Sequence, residues 1–173
     1  MFHSCTLSPG GIDGTAGELG HVCVKPNGSE CGCGSKGCLE QYASATGLAK
    51  VFTDFEQEFP DSELHGRGNV TPIDLYEYAV RRDQLALAVF DRMGEALGIA
   101  IAGFINIFNP EVIVIGGGLS GAWDMFSGSM RETIKARAFR RPAERAKLVR
   151  AELGDDSGMI GAASLVFDMR KSG

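Results

Sequence analysis

One histidine and three cysteines stand close together near the start of the chain: His21, nine residues, Cys31-x-Cys33, four residues, Cys38. An imidazole and three thiolates make a common tetrahedral zinc shell, and such a shell is structural when all four donors come from protein. Glycines at 28, 32, 34 and 37 let a short loop fold back so that its sulfurs converge. The Cys-x-Cys spacing is shorter than the usual zinc knuckle, and the same residues could instead hold one disulfide with bystanders. The clustering within residues 21–38 favours zinc. Cys5 and Cys23 fall outside the set, and Cys23, in an alternating stretch, reads as a small buried apolar side chain.

A second feature is glycine-rich. Gly116-x-Gly118-x-x-Gly121 follows an apolar run and formally satisfies a dinucleotide fingerprint. That fingerprint also wants a unit at the start of its domain and an acid about twenty residues on, at the end of the next strand. Here the next strand lies too far away and Glu152 further still, so a nicotinamide or flavin role is set aside. What remains is a strand-to-helix turn. Two carboxylates, Glu18 and Glu40, flank the cysteine cluster and by themselves read as solvated loop acids; His3 and His65 fall in loops and receive no role.

The elements that must position these residues follow from periodicity and punctuation. Residues 1–16 are rich in Ser, Thr, Gly and Pro and read as an irregular leader. His21–Val24 alternates like a short strand. Apolar residues at 39, 42, 45, 48, 49, 52, 55 and 59 mark one side of a helix, broken near Gly47. Residues 60–70 read as a polar loop. Thr71-Pro72-Ile73-Asp74 opens a helix that stops near Arg82, with Thr as cap, Pro in the first turn and an acid at the dipole's positive end. A long helix runs from 84 to 108, its second half apolar nearly all round and so buried on most sides. Asn109-Pro110 ends it, and Val112–Ile115 reads as a buried strand. A helix over 122–139, a strand over 146–153 and a last helix over 158–170 complete the chain, an order that implies parallel pairing through right-handed crossovers.

Bulk properties narrow the function. At 173 residues the chain fits one domain with a sizeable core. A net charge of -5 argues against a nucleic-acid or anionic-membrane surface, and no apolar run is long enough to span a bilayer. No secretory signal opens the chain, and an odd number of cysteines, five, suits a reducing cytoplasm.

Gly20-His21 followed by CGCGxxGCxE at 31–40, with AGE at 16–18, PEVIVIGGGLS at 110–120 and GDDSGMIGAA at 154–163, resembles the ROK family of sugar kinases and sugar-responsive repressors, its glucokinase-type members above all. The resemblance runs from about Gly14 to the end and covers the C-terminal half of a typical member. It implies an α/β fold, the C-terminal lobe of an actin-like (ribonuclease H-like) ATPase with a zinc-binding loop. It implies that Glu18, His21 and Glu40 hydrogen-bond the hydroxyls of a hexose, while zinc on His21, Cys31, Cys33 and Cys38 organises them. Gly116, Gly117 and Gly118 match the turn that lies against the adenosine of ATP, with Mg as the nucleotide's ion; a plain structural turn is the competing reading. The reaction implied is transfer of the ATP γ-phosphate to the 6-hydroxyl of glucose or a related hexose. The alternatives are the sugar-sensing domain of a ROK repressor and a catalytically inactive, zinc-stabilised sugar-binding module.

In such kinases the aspartate base and the glycine-rich phosphate loops precede the AGE element. No counterpart is found here, so no catalytic residue is assigned, and the chain is expected to be a single lobe of a longer enzyme. Its units are then 17–40 for sugar and zinc, 41–157 for helices and parallel strands, and 158–173 for the last helix. That helix, apolar on almost every side, is expected to pack on the other lobe and, left bare, to drive self-association into a homo-oligomer. Phosphoryl transfer depends on positioning base, hydroxyl and phosphates together. Residues 1–173 alone are therefore expected to show no ATP-dependent glucose phosphorylation in a coupled assay, and robust turnover abolished by Glu40→Ala would reveal a base among them.

Overall fold

The computed structural model describes residues 12–13 and 15–151. The helix expected over 158–170, the GDDSGMIGAA segment, His3 and Cys5 lie outside the described residues. Six helices and two strands follow one another: α1 (Glu40–Ala43), α2 (Ala45–Phe55), α3 (Pro72–Val80), α4 (Gln84–Phe108), β1 (Val112–Ile115), α5 (Trp123–Arg137), α6 (Arg140–Arg145) and β2 (Lys147–Arg150).

The core is organised by α4. Its Leu85, Ala86, Val89, Phe90, Met93, Ala96, Ala100, Ile101 and Ile105 are buried, and α1, α2, α3 and α5 pack around it. The closest of these contacts is with α5. A Cβ on Gly94 would come within 2.4 Å of the Phe126 carbonyl, and one on Gly98 within 2.7 Å of the Met130 carbonyl. Side chains are thus excluded at both positions, the two backbones meet, and Phe126, Met130 and Ile134 drop into the core on either side.

Local chemistry sets the helix boundaries. The Ser44 hydroxyl accepts from the Gly47 amide, so the break between α1 and α2 falls at Ser44 rather than at Gly47. A capping box opens α3: Thr71 Oγ1 accepts from the Asp74 amide at 3.2 Å, while Asp74 Oδ2 accepts from the Thr71 amide at 2.8 Å. Asp83 caps α4 through the Ala86 amide and also accepts the Ser62 hydroxyl, so one carboxylate ties the 59–70 loop to the central helix. That loop is less polar in its role than in its composition, since Leu64 is fully buried within it.

β1 and β2 pair in parallel, Val112 with Lys147 through Ile115 with Arg150, and α5 and α6 form the crossover between them. The expectation of a buried strand is corrected here. Ile113, Ile115 and Leu148 pack on the core, whereas Val112, Val114 and Val149 are exposed. Helices cover one face of this two-stranded sheet and nothing among the described residues covers the other; a β-branched run reads alike in both cases. The second strand is seen over Lys147–Arg150, and the end of the expected 146–153 segment, 152–153, lies outside the described residues. The last turn of α4 is also barer than its composition implies, with Ile107 and Phe108 exposed. The fifth helix stops at Arg137, and the Asn106 side chain accepts the Phe139 amide, which starts the unforeseen α6. Among the described residues no helix is long and apolar enough to cross a membrane.

The hydrogen bonds from Thr71 hold the Asp74 carboxyl below its ordinary range. A depressed carboxylate stabilises the fold above its unfolded pKa, about 3.9, and that contribution is lost as pH falls through the lower folded value. Urea titrations should therefore find Asp74→Asn less stable than the parent at neutral pH, with the gap closing below about pH 4. A gap independent of pH would show that the carboxylate charge is not what holds the cap.

Candidate functional site

The chain enters the site through a turn at Gly17 and one turn of 3-10 helix over Leu19–His21, in which the His21 amide donates to the Glu18 carbonyl at 3.0 Å. No strand forms over 21–24. The segment instead makes a single antiparallel bridge, Cys23 opposite Cys38, a correction to the alternating reading. Cys23 is exposed rather than buried, because Val24 is the residue of this stretch that turns into the core.

A small hairpin carries the cysteines. Glu30 and Lys36 bridge across it, the Cys31 amide donates to the Ser35 carbonyl at 2.9 Å, and Gly34 donates to Cys31 at 3.0 Å. The hairpin folds back on the incoming chain at Gly37, whose φ is +70° and where any Cβ would collide with the Lys25 carbonyl. Only glycine fits there. Buried Tyr42, on α1, reaches up to accept the Ser29 amide at 3.2 Å, which anchors the same loop to the core. Sequence reasoning had the glycines as hinges; it missed the Lys25 contact and Tyr42, since neither has a local signature.

The ligand atoms of His21, Cys31, Cys33 and Cys38 all lie within 4.8 Å of one another. His21 Nδ1 is 3.5 Å from Cys31 Sγ, and Cys33 Sγ is 3.6 Å from Cys38 Sγ. Tetrahedral zinc with ordinary bond lengths separates nitrogen from sulfur by about 3.6 Å and sulfur from sulfur by about 3.8 Å. A disulfide would need about 2.05 Å, and all four described cysteines are free thiols. The donor set and its spacing therefore fit a zinc ion. Burial pushes the Cys38 thiol up to about 12, reinforced by the adjacent Cys33 and Cys31 sulfurs, whereas the Ser35 backbone amide and the Cys31 and Cys38 side chains draw Cys33 down.

The two carboxylates bracket the imidazole. Glu40, the first residue of α1, brings Oε2 to 3.7 Å from His21 Nδ1 and 3.9 Å from Cys31 Sγ. Glu18 Oε2 stands 4.0 Å from Nε2 on the other side of the ring. Both acids are about half exposed or more, 49% for Glu40 and 64% for Glu18. All six residues singled out from the N-terminal motif thus come together in one patch at the surface.

Gly116, Gly117 and Gly118 lie apart from that patch, at the C-terminal end of β1, where α/β sheets place their ligands. Gly117 has a φ of +88°, and a Cβ at 117 or 118 would meet nothing within 4 Å. The turn needs glycine at 117 for its backbone, and among the described residues the space in front of it is open.

Comparison with known proteins gives a consistent picture. The sequence profile described as the ROK family matches residues 7–169. A glucokinase of Halalkalibacterium halodurans is 41% identical over 94% of this chain and 51% of its own length. A putative xylose repressor of a Caldicellulosiruptor species is 31% identical, over 91% of this chain and 40% of its own. The crystal structure of a ROK family glucokinase from Streptomyces griseus in complex with glucose and AMPPNP superposes with a TM-score of 0.73 at 32% identity, covering 88% of this chain and 51% of that one. The chain spans about half the length of the curated relatives it matches.

Gly37→Ala isolates the loop closure from the ligand chemistry, because it removes no donor. It should cost more than about 1 kcal/mol in urea denaturation, as an Ala forced to positive φ does, and should open residues 22–39 to hydrogen exchange. Unchanged protection there would mean that the hairpin is held in some other way.

Proposed function

Because the chain belongs to the ROK family, we propose that it is the sugar-binding lobe of a glucokinase-type sugar kinase. The whole enzyme would transfer the γ-phosphate of ATP, carried with Mg, to the 6-hydroxyl of glucose or a related hexose. One observation carries this reading: an imidazole bracketed by two exposed carboxylates, with three thiols gathered behind it.

His21, Cys31, Cys33 and Cys38 would hold the zinc, which when bound supplies a rigid structural anchor. With Nδ1, the nitrogen turned to the thiols, on the zinc, the His21 proton would reside on Nε2 and be offered outward on the side of Glu18. Glu18 and Glu40 each accept hydroxyl protons in a fixed plane, and charge-assisted bonds of that kind are the strong ones. The turn over Gly116–Gly118 would take the adenosine, since among the described residues nothing lies within 4 Å of a Cβ placed at 117 or 118. No residue of the chain is assigned as general base. A metal loop that needs its cysteines reduced suits a reducing cytoplasm. The repressor relatives favour a second reading, in which the same carboxylates sense a sugar without ATP.

Metal analysis should return about one zinc per chain. Calorimetry with glucose should register binding that Glu40→Ala weakens by roughly ten- to a hundredfold, the value of a hydrogen bond to a charged group. An ATP analogue should bind to a kinase lobe and not to a sugar sensor. Glucose affinity indifferent to Glu40 would overturn the sugar assignment, and a zinc-free, fully folded 20–40 loop would overturn the metal.

A further inference from the structure

Cys23 is the one cysteine among the described residues that stands outside the metal shell, and it is exposed. Its position is not arbitrary, for it lies directly opposite Cys38. The Val24 amide donates to the Gly37 carbonyl at 2.8 Å and the Leu39 amide to the Val22 carbonyl at 2.9 Å. These bonds frame 23 and 38 as a non-hydrogen-bonded antiparallel pair. In such a pair the Cα atoms sit about 4.5 Å apart and the two side chains share a face. A disulfide accepts Cα separations of roughly 4.4–6.8 Å, so this pair can be bridged without moving the backbone.

We propose that Cys23 and Cys38 form a redox modification site, in which a peroxide converts the pair to a cross-strand disulfide and withdraws Cys38 from the zinc shell. The register makes the pairing possible; the Cys38 thiolate that closes it, the protection of Cys33 and the consequence for the metal rest on the zinc reading above. Cys23 meets the oxidant first, since it is exposed and stands outside the shell, whereas Cys38 and Cys31 are buried and Cys33, though exposed, is one of the four shell donors. Its sulfur attacks the peroxide: an S–O bond forms, the O–O bond breaks, and one water leaves. The Cys38 thiolate then attacks the Cys23 sulfur, the S–S bond forms, the S–O bond breaks, and the departing hydroxide takes a proton to become a second water. Two sulfurs give up two electrons and one peroxide is reduced to two waters. The rival product is Cys33–Cys38, whose sulfurs are already 3.6 Å apart; it requires Cys33 to be oxidised while its electron pair is engaged in the shell. Loss of Cys38 would slacken the loop that leads into Glu40 and so weaken sugar binding reversibly.

The sequence makes the products separable. Cleavage after Glu18, Glu30, Lys36 and Glu40 puts Cys23 on peptide 19–30, Cys31 and Cys33 on 31–36, and Cys38 on 37–40. The full chain is assayed for zinc, exposed to a small excess of hydrogen peroxide, digested without reduction and examined by mass spectrometry, while a chromogenic chelator follows released metal. The expected result is peptide 19–30 joined to 37–40, zinc released in parallel, and both reversed by a dithiol. Cys23→Ser, a change at an exposed position, should retain zinc at peroxide doses that strip the parent. Cys38 joined instead to 31–36, Cys23 joined to Cys5, or equal zinc loss from Cys23→Ser would overturn the proposal. A chain without zinc that still forms the 23–38 bridge would sink the metal reading and leave the modification site standing.

Discussion

Three thiols and an imidazole within 4.8 Å of one another are a charge problem before they are a binding site. The sulfurs cannot all ionise side by side in the absence of a cation, and Cys38, buried like Cys31, has its thiol raised to about 12 chiefly by that burial, with the neighbouring sulfurs adding to it. The cluster is therefore tolerated in one of two states, neutral with its protons or ionised around a divalent ion. Its backbone is steered towards convergence by contacts that do not involve sulfur, and an ion held by the four donors would complete the closure. Those contacts are the Gly37 approach to Lys25, the hairpin bonds at 31–35 and the Tyr42 hydroxyl beneath Ser29.

From that loop the dependence runs inward. Tyr42 lies on a helix of four residues, too short to persist alone, and it holds its place because α1 packs on both α2 and α4. In turn α4 is fixed by Asp83 at one end and by the glycine contacts with α5 along its middle. Glu40 begins α1, so its carboxylate takes its position from this chain of packing rather than from the metal loop alone. Glu18, on a single 3-10 turn and 64% exposed, has far less to hold it. The two acids are thus unequal: one is placed by the core and the other by its neighbours in sequence.

What was legible in the sequence was what local chemistry decides. The capping box at Thr71, the length of α4, the parallel strands and the grouping of His21 with the three cysteines could all be read from spacing and punctuation. What was not legible depended on partners distant in the chain. Val112 and Val114 are β-branched whichever way they face, and nothing local says that only one side of their sheet is covered. Leu64 sits in a run of polar residues and is buried because Asp83 pulls its loop onto α4. Cys23 alternates like a core residue, yet it is exposed in a single bridge opposite Cys38, and Val24 is the neighbour that turns into the core. The sugar roles of Glu18 and Glu40 came from resemblance alone, since two exposed acids carry no signal of their own.

The exposure of those acids bears on how the site could discriminate. A hydrogen bond from a sugar hydroxyl to a carboxylate in open water replaces one to solvent and gains little; it gains much more when water is excluded and the effective dielectric falls. The cavities of about 380 Å³ on this chain, one against residues 58–63 and 78–84 and one between α5, α6 and β2, lie elsewhere. Glu18, His21 and Glu40 line neither of them. With 64% and 49% of their side chains open, the acids as they stand offer orientation without enclosure. Selectivity among hexoses would then require a surface other than the described residues to close over them. The same holds for the glycine turn, where the described residues leave space in front of Gly117 and Gly118. Both candidate sites are half-built in the same sense: donors and acceptors are positioned, and the low-dielectric cover that would make them strong must come from outside this set of residues.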